Sequence, residues 1–354
     1  MQPFPDPYPT ILSPDATMDG AFSTAMDQLS GADQDVVRLM PITIAHVRQG
    51  AGSYETSGQF QTEEDYSASL LKVPIMYAAY ELLRNMVNLG FQLGDVTTDE
   101  YFQGARDTFN DAIFSAVPLI SNTVERDHVL PDYENLFQTQ KDPTTGVHTP
   151  SFTDAFAQNL DTMLRDANAL GAAIACIHAL RFGYTNGALA AGGLFREGAG
   201  TAFPPNGIWN AGDFSTWTDV VIPVTNDVTS AQATTTSDMA NLYALLTEEI
   251  LTGVGGFSPQ MLGLLALNAN NGWFNATTPP IWDPATSNVT VSHTKVGEGK
   301  LKTGQFVLSE GIIVHEQAHG ADFIVVYQDL RNGSPTELTA VARLIENTID
   351  AFLA

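Results

Sequence analysis

The chain has 354 residues, 44% of them hydrophobic, and its 40 acidic residues outnumber 15 basic ones to give a formal charge of −25. A charge of this sign argues against nucleic acid or an anionic membrane as the main partner. No apolar stretch is long enough to span a bilayer, and the Pro-rich start lacks the basic and apolar regions of a signal peptide. The single Cys176 lies in an apolar run and cannot form an internal disulfide. The length predicts one large or two intimately joined domains.

The first part of the chain shows helical and strand-like periodicity in turn. In chain order we predict a helix at Ala16 to Leu29, a strand at Val37 to Val47, its hairpin partner at Tyr54 to Phe60, and a helix that begins close to Ser69. Pro74 supports this last boundary, because proline is tolerated only near a helix start. The stretch from about 95 to 150 is rich in Asp, Thr and Pro, and we interpret it as an insertion with short helices.

The second part of the chain is helical first and strand-rich last. We predict helices within Phe152 to Ala191 and from a Thr-rich cap at 234–236 to about Leu251, a loop at Ala199 to Ala231, strands at Asn288 to Lys295, Phe306 to Val314 and Asp322 to Tyr327, and a final helix at Glu337 to Leu353. This order puts both chain ends in one sheet. It predicts a discontinuous sheet domain, residues 1–64 and 285–354, and a helical domain at 65–284.

Ser69-Leu70-Leu71-Lys72 is the motif with the clearest chemistry. A serine and a lysine three residues apart at a helix start share one face. A lysine can deprotonate a serine hydroxyl if burial lowers the pKa of its amine, and the apolar residues around Lys72 favour such burial. The motif therefore predicts acyl transfer through a serine ester, with Ser69 as nucleophile and Lys72 as base.

Two later motifs offer groups that could complete a site with this serine. Tyr184 and Asn186 follow a helical run, and in a loop a hydroxyl and an amide two residues apart can point into one cleft. Tyr184 would pass a proton to a leaving group, and Asn186 would orient the substrate. Lys295 ends a strand and is followed by Gly297, an arrangement suited to holding an anionic substrate end beside an oxyanion site.

A competing motif, His315-Glu316-Gln317-Ala318-His319, matches the H-E-x-x-H pattern of zinc peptidases. That pattern needs a helix to place both histidines on one face. Here apolar strand-like runs flank the motif on both sides, so we predict the polar tip of a β-hairpin. A zinc peptidase stays the less favoured alternative.

In order, the three motifs resemble those of the serine β-lactamase and penicillin-binding protein superfamily, most closely the class A β-lactamases, whose pattern is S-x-x-K, then S-D-N or Y-x-N, then K-T-G. The resemblance implies an α+β fold (an α/β sandwich), with an antiparallel sheet flanked by helices and an all-helical lobe. It implies an oxyanion hole formed by the backbone N–H of Ser69 and one after Gly297, no metal or organic cofactor, and a secreted or periplasmic location.

Three departures from the family pattern shape the functional prediction. The third motif is K-V-G at Lys295, and a literal K-T-G begins at Lys302, which stays an alternative. Tyrosine replaces the serine of the second motif. No E-x-x-L-N deacylation motif occurs in the 199–231 loop, where Asp219 is the nearest carboxylate. We therefore expect a serine hydrolase acting on an amide, peptide, ester or lactam substrate rather than an efficient β-lactamase. A non-catalytic penicillin-binding-protein-like receptor is the alternative.

Overall fold

The computed structural model describes residues 1–121, 126–166, 169–194, 208–210, 232–253, 256–266, 272–283, 287–301 and 303–354. Within them the strands are β1 Leu12–Pro14, β2 Ile42–His46, β3 Tyr54–Gln59, β4 Asp65–Tyr66, β5 Phe137–Lys141, β6 His148–Phe152, β7 Trp209–Asn210, β8 Gln232–Thr234, β9 Val289–Lys300, β10 Phe306–Glu316 and β11 Ala321–Arg331.

The helices of the same residues are α1 Ala16–Gln28, α2 Gly31–Val37, α3 Lys72–Leu93, α4 Thr98–Ala116, α5 Pro118–Ser121, α6 Arg126–Val129, α7 Tyr133–Leu136, α8 Asp154–Arg165, α9 Leu170–Leu180, α10 Phe182–Ala191, α11 Thr236–Thr247, α12 Ser258–Ala266, α13 Trp273–Ala276 and α14 Pro335–Leu353. A 3-10 helix, Ala68–Leu71, directly precedes α3. None of the described helices is long and apolar enough to cross a membrane.

A six-stranded sheet is formed in the order β1-β3-β2-β11-β10-β9. Its neighbouring strands pair antiparallel, except that β1 pairs parallel with β3 at the edge. The pairing of β2 with β11 joins the start of the chain to its end. The α+β class, with an antiparallel sheet flanked by helices, is therefore confirmed.

Helices cover both faces of this sheet. Ile312 and Val325 pack in an apolar cluster with α1 and α14, whereas their neighbours Ile313 and Ile324 pack in a larger cluster around α3. Successive residues of a strand point to opposite faces. Burial of both faces explains why β10 and β11 carry continuous apolar runs instead of an alternating pattern.

Helix α3 is the centre of the helical side of the molecule. It has 22 residues, and 15 of them are buried, including the charged or polar Lys72, Glu81 and Asn85. The stretch interpreted as an insertion packs on this core. It contains short helices and also the 19-residue α4, which starts with a capping box of Thr97 and Glu100. Tyr101 and Phe109 of α4 belong to the same apolar cluster as α3.

Most predicted elements occur where the periodicity put them, with one clear difference near the start. The strand predicted from Val37 is shorter, because residues 31–37 form α2 and β2 begins only at Ile42. Ser30 accounts for the helix, since its hydroxyl accepts the backbone N–H of Asp33 as an N-cap.

Candidate active site

Ser69 lies on the 3-10 helix, and Lys72 is the first residue of α3. The predicted helix start near Ser69 is thus confirmed, with Pro74 in the first turn. In a 3-10 helix, side chains three residues apart are eclipsed, so Ser69 and Lys72 face the same way. Ser69 is partly exposed, whereas Lys72 is only 1% exposed. Ala68 precedes them with φ of 47°, a left-handed conformation unfavourable for alanine.

Ser67 attaches this turn to the sheet. Its carbonyl oxygen accepts a hydrogen bond from Ser309 Oγ at 2.8 Å, and its hydroxyl oxygen accepts one from Gln328 Nε2 at 2.8 Å. The Ser67 hydroxyl in turn donates to the carbonyl of Asp65 at 3.1 Å. All of these side chains are buried, so each bond also satisfies a polar group away from water. The position of Ser69 is thereby coupled to β10 and β11.

Strand β9 passes close to the same turn at Gly297. A Cβ atom on Gly297 would lie 2.4 Å from the carbonyl oxygen of Ser67 and 2.9 Å from the backbone nitrogen of Leu70. Only glycine permits this approach of one backbone to another. The third motif is therefore packed on the first one, and the structure brings Gly297 to the segment that carries Ser69.

Burial sets the electrostatics of Lys72. Desolvation lowers its pKa to about 8, and the carboxylate of Asp166 opposes that shift. The Cys176 thiol, on α9, is itself buried, which raises its pKa to about 12. A buried amine with a pKa near neutrality can exist in its uncharged form and accept a proton.

Lys295 is a second buried lysine at the same place. It is fully buried, and its Nζ has no hydrogen-bond partner in the described part of the chain. Burial, and after it the charge of Lys72, lower its pKa to about 7, although the carboxylates of Asp166 and Glu310 oppose the shift. The structure thus brings the lysines of the first and third motifs within electrostatic reach of each other.

Asp166 is a site residue that the sequence analysis missed. It directly follows α8, its side chain is exposed, and its carboxylate raises the pKa of both Lys72 and Lys295. A signal was present in the sequence. Asp166-Ala167-Asn168 has the asparagine of the family's second motif at its third position and stands directly before an apolar helical run.

Tyr184 and Asn186 are corrections to the predicted site. They lie within α10 rather than in a loop, and on a helix residues two positions apart point to nearly opposite sides. Asn186 Nδ2 donates to the carbonyl of Phe182 within the helix, at 2.9 Å. The Tyr184 hydroxyl donates to the carbonyl of Pro3 at 3.0 Å, and its ring stacks on Phe4.

The surroundings of Tyr184 place it away from Lys72. Its pKa is raised well above the ordinary value by burial and by the charge of Glu81, and Asn85 also lies beside it. Glu81 and Asn85 follow Lys72 on α3 by more than two turns, about 14 Å and about 20 Å along the helix axis. Tyr184 therefore anchors the N-terminal segment, and proton relay from this position is not supported.

The H-E-x-x-H motif forms the tip of the β10–β11 hairpin, as predicted. Glu316 ends β10, and its carboxylate accepts the backbone N–H groups of Ala318 and His319. His315 instead pairs with Asp322 at 2.8 Å. Among the described residues no group of three or more His, Cys, Asp or Glu side chains could hold a metal ion. Two other candidates, Lys302 and Asp219, lie outside the described residues.

No family model and no curated protein matches the chain. Solved structures do match. A class A β-lactamase from Bacteroides cellulosilyticus DSM 14838 has a TM-score of 0.51 at 12% identity, over 95% of this chain and 99% of that chain. A β-lactamase from Chitinophaga pinensis DSM 2588 has a TM-score of 0.50 at 11% identity, again over 95% and 99%. The chain has the fold of the serine β-lactamases, which the order of its motifs indicated.

Replacing Gly297 by alanine tests the packing of β9 on the Ser69 turn. We expect Gly297→Ala to lower the free energy of unfolding by about 1–3 kcal/mol, because the new Cβ would overlap backbone atoms that cannot turn aside. Chemical denaturation measures the change. Gly20→Ala in α1 is the matched control, since no atom lies within 4 Å of its added Cβ. Equal stability of the two variants would contradict this packing.

Tyr184→Phe separates anchoring from proton relay. The variant loses the hydrogen bond to Pro3, which also accepts one from Asn85 Nδ2, so we expect the free energy of unfolding to fall by about 1 kcal/mol. The reactivity of Ser69 should stay within twofold of the original. Denaturation and the rate of covalent labelling of Ser69 give the two readouts. A large loss of labelling at unchanged stability would restore Tyr184 as a relay.

Proposed function

We propose that this protein is a β-lactamase-related serine hydrolase that forms an acyl-enzyme on Ser69 with an amide, peptide, ester or lactam substrate. One observation carries the proposal. Lys72, three residues after the partly exposed Ser69, is a buried amine whose pKa is lowered to about 8 by desolvation. Such an amine can act as the base that activates a serine hydroxyl near neutral pH.

The proposed reaction follows from the roles of these groups. Uncharged Lys72 takes the proton of Ser69 Oγ as that oxygen attacks the substrate carbonyl carbon. Backbone N–H groups of Ser69 and of the residue after Gly297 stabilise the oxyanion. Collapse of the tetrahedral intermediate breaks the bond to the leaving group, which recovers the proton from the Lys72 ammonium. Lys295, which is buried and whose Nζ has no hydrogen-bond partner among the described residues, holds an anionic substrate end.

The proposed substrate is a small molecule or peptide with an anionic end, met in a secreted or periplasmic setting. Deacylation is proposed to be slow, so the protein is not an efficient β-lactamase. The absence of an E-x-x-L-N motif from the sequence supports slow turnover. Asp219, the one carboxylate considered as hydrolytic base, lies outside the described residues.

Intact-mass measurement after incubation with a penicillin tests this function directly. We expect an increase equal to the mass of the intact drug, because opening of the lactam retains all its atoms. The increase should persist for minutes to hours and be absent in Ser69→Ala, which lacks the nucleophile. Ser67→Ala is a poor control because Ser67 holds the turn, so Ser292→Ala, on β9 beyond the site, serves as the matched serine variant.

Other outcomes of this measurement have defined meanings. Rapid loss of the drug without an adduct would contradict slow deacylation. If Ser69→Ala abolishes that loss, the result would still support Ser69 as the nucleophile. An adduct retained in Ser69→Ala would contradict Ser69 as nucleophile. Absence of an adduct with penicillins and with activated esters alike would favour the non-catalytic receptor.

The pH dependence of acylation tests the role of Lys72. With an uncharged activated ester, the rate should rise about tenfold per pH unit below pH 8 and level off above it, because only the deprotonated amine acts as base. Stopped-flow measurement of the first turnover between pH 6 and pH 10 gives the profile. A rate that is still rising tenfold per unit at pH 10 would indicate a lysine with an ordinary pKa and would contradict the proposed base.

A further inference from the structure

Gln328 on β11 is a fully buried amide whose two ends have different surroundings. Its Nε2 donates to the hydroxyl oxygen of Ser67 at 2.8 Å, whereas its Oε1 has no hydrogen-bond partner in the described part of the chain. A buried acceptor without a partner costs free energy, and an apolar side chain of the same length would avoid that cost. The stability of the sheet alone therefore does not account for an amide at this position.

A β-bulge in β11 lies directly beside this amide. The register between β10 and β11 shifts after position 308, so Gln328 and Asp329 of β11 lie opposite the single Ser309 of β10. Asp329 has φ of 52°, a left-handed conformation that residues other than glycine seldom adopt. The Ser309 hydroxyl donates to the carbonyl oxygen of Ser67 at 2.8 Å. The bulge thus brings two hydrogen-bond donors onto Ser67.

The bulge also changes which side chains of β11 share a face. Tyr327 and Leu330 both pack in the apolar cluster with α1 and α14, although residues three apart in a regular strand point to opposite faces. The extra residue allows Leu330 to enter that cluster while Gln328 stays on the other face and reaches Ser67. A strand of regular pairing could not make both contacts.

Ala68, between Ser67 and Ser69, is the residue that these bonds constrain. Its φ of 47° is left-handed, which is unfavourable for alanine. Such a conformation persists only where surrounding contacts impose it. Gln328 and Ser309 bind the residue directly before Ala68, and they do so from two different strands. These contacts set the direction in which the chain enters Ser69.

We propose that Gln328 is a positioning residue for the reaction at Ser69. Through Ser67 it holds Ala68 in the left-handed conformation that orients the hydroxyl and the backbone N–H of Ser69. This role in the reaction rests on the proposed function, whereas the constraint on Ala68 does not. Loss of the amide therefore slows acylation without changing the affinity for the acyl donor or the pKa of Lys72.

Gln328→Met keeps the length of the side chain and removes the amide. We expect the acylation rate at saturating activated ester to fall about 10- to 100-fold, because Ser69 loses its alignment. The dissociation constant of the ester should stay within about twofold of the original. The rising limb of the pH profile should still end near pH 8. The denaturation midpoint should not fall, because Ser67 still donates to Asp65 and the unpartnered acceptor is removed.

A second substitution tests the local cause. Ala68→Gly should restore most of the lost rate in Gln328→Met, because glycine adopts the left-handed conformation without support from its neighbours. Gln59→Met is the matched control. The Gln59 amide, on β3, donates to the carbonyls of Val37 and Met40. Its loss should lower the denaturation midpoint and leave the acylation rate unchanged.

The carbon chemical shifts of Ala68 report its conformation without any reaction. In protein with 13C-labelled alanine, Ala68→Gly removes one signal and so assigns it. That signal should move in Gln328→Met and stay in place in Gln59→Met. A moved signal in a protein that no acyl donor labels would refute the proposed function and keep the constraint on Ala68.

Three results would overturn the positioning role while the proposed function stands. They are acylation of Gln328→Met at the original rate, a loss of rate that Ala68→Gly does not restore, and an unmoved Ala68 signal. If Gln328→Met does not fold, Gln328→Asn takes its place. Its amide is one carbon too short to reach Ser67, so the same loss of acylation rate is expected.

Discussion

The close approach of strand β9 to the turn before α3 is the contact on which the candidate site depends. At Gly297 the two backbones are so close that a single added carbon would overlap the Ser67 carbonyl oxygen. Ser67 completes the junction, because its carbonyl and hydroxyl are bonded to side chains of β10 and β11. Ser69 is therefore positioned by the sheet as well as by its own helix, and a shift of either one would move the candidate site.

Burial of charge is the second constraint, and it has a cost. Removing two lysines from water opposes folding, and mutual repulsion adds to that cost. The large apolar core around α3 offsets it, since buried side chains of this helix such as Ile75, Met76 and Leu82 belong to that core. The same desolvation that destabilises the ammonium ions lowers the pKa of Lys72 to about 8 and that of Lys295 to about 7. The lowered pKa values and the destabilisation at this site thus have one physical origin.

The second motif shows how far local sequence can mislead. Tyr184 and Asn186 match the spacing of Y-x-N, but the prediction that both side chains point into one cleft required a loop. The chain instead continues as a helix through Ala191. The Tyr184 hydroxyl instead donates a hydrogen bond to the carbonyl of Pro3 in the N-terminal segment, a contact between residues 181 positions apart. Asp166, directly after α8, instead acts electrostatically on Lys72 and Lys295. Residue spacing predicts which side chains share a face only if the secondary structure of the segment has been assigned correctly.

The sequence by itself determined the elements and the first motif. Apolar periodicity placed α3, β9, β10, β11 and α14, and Pro74 with the apolar residues around Lys72 marked a buried lysine beside a serine at a helix start. These are local properties, decided by neighbours along the chain.

Tertiary structure alone decided which distant groups meet. The pairing of β2 with β11, the approach of Gly297 to Ser67, the position of Asp166 and the removal of Tyr184 from the site all involve residues far apart in the chain. Such contacts depend on how the elements pack together, and neither periodicity nor spacing carries that information, because both describe one element at a time.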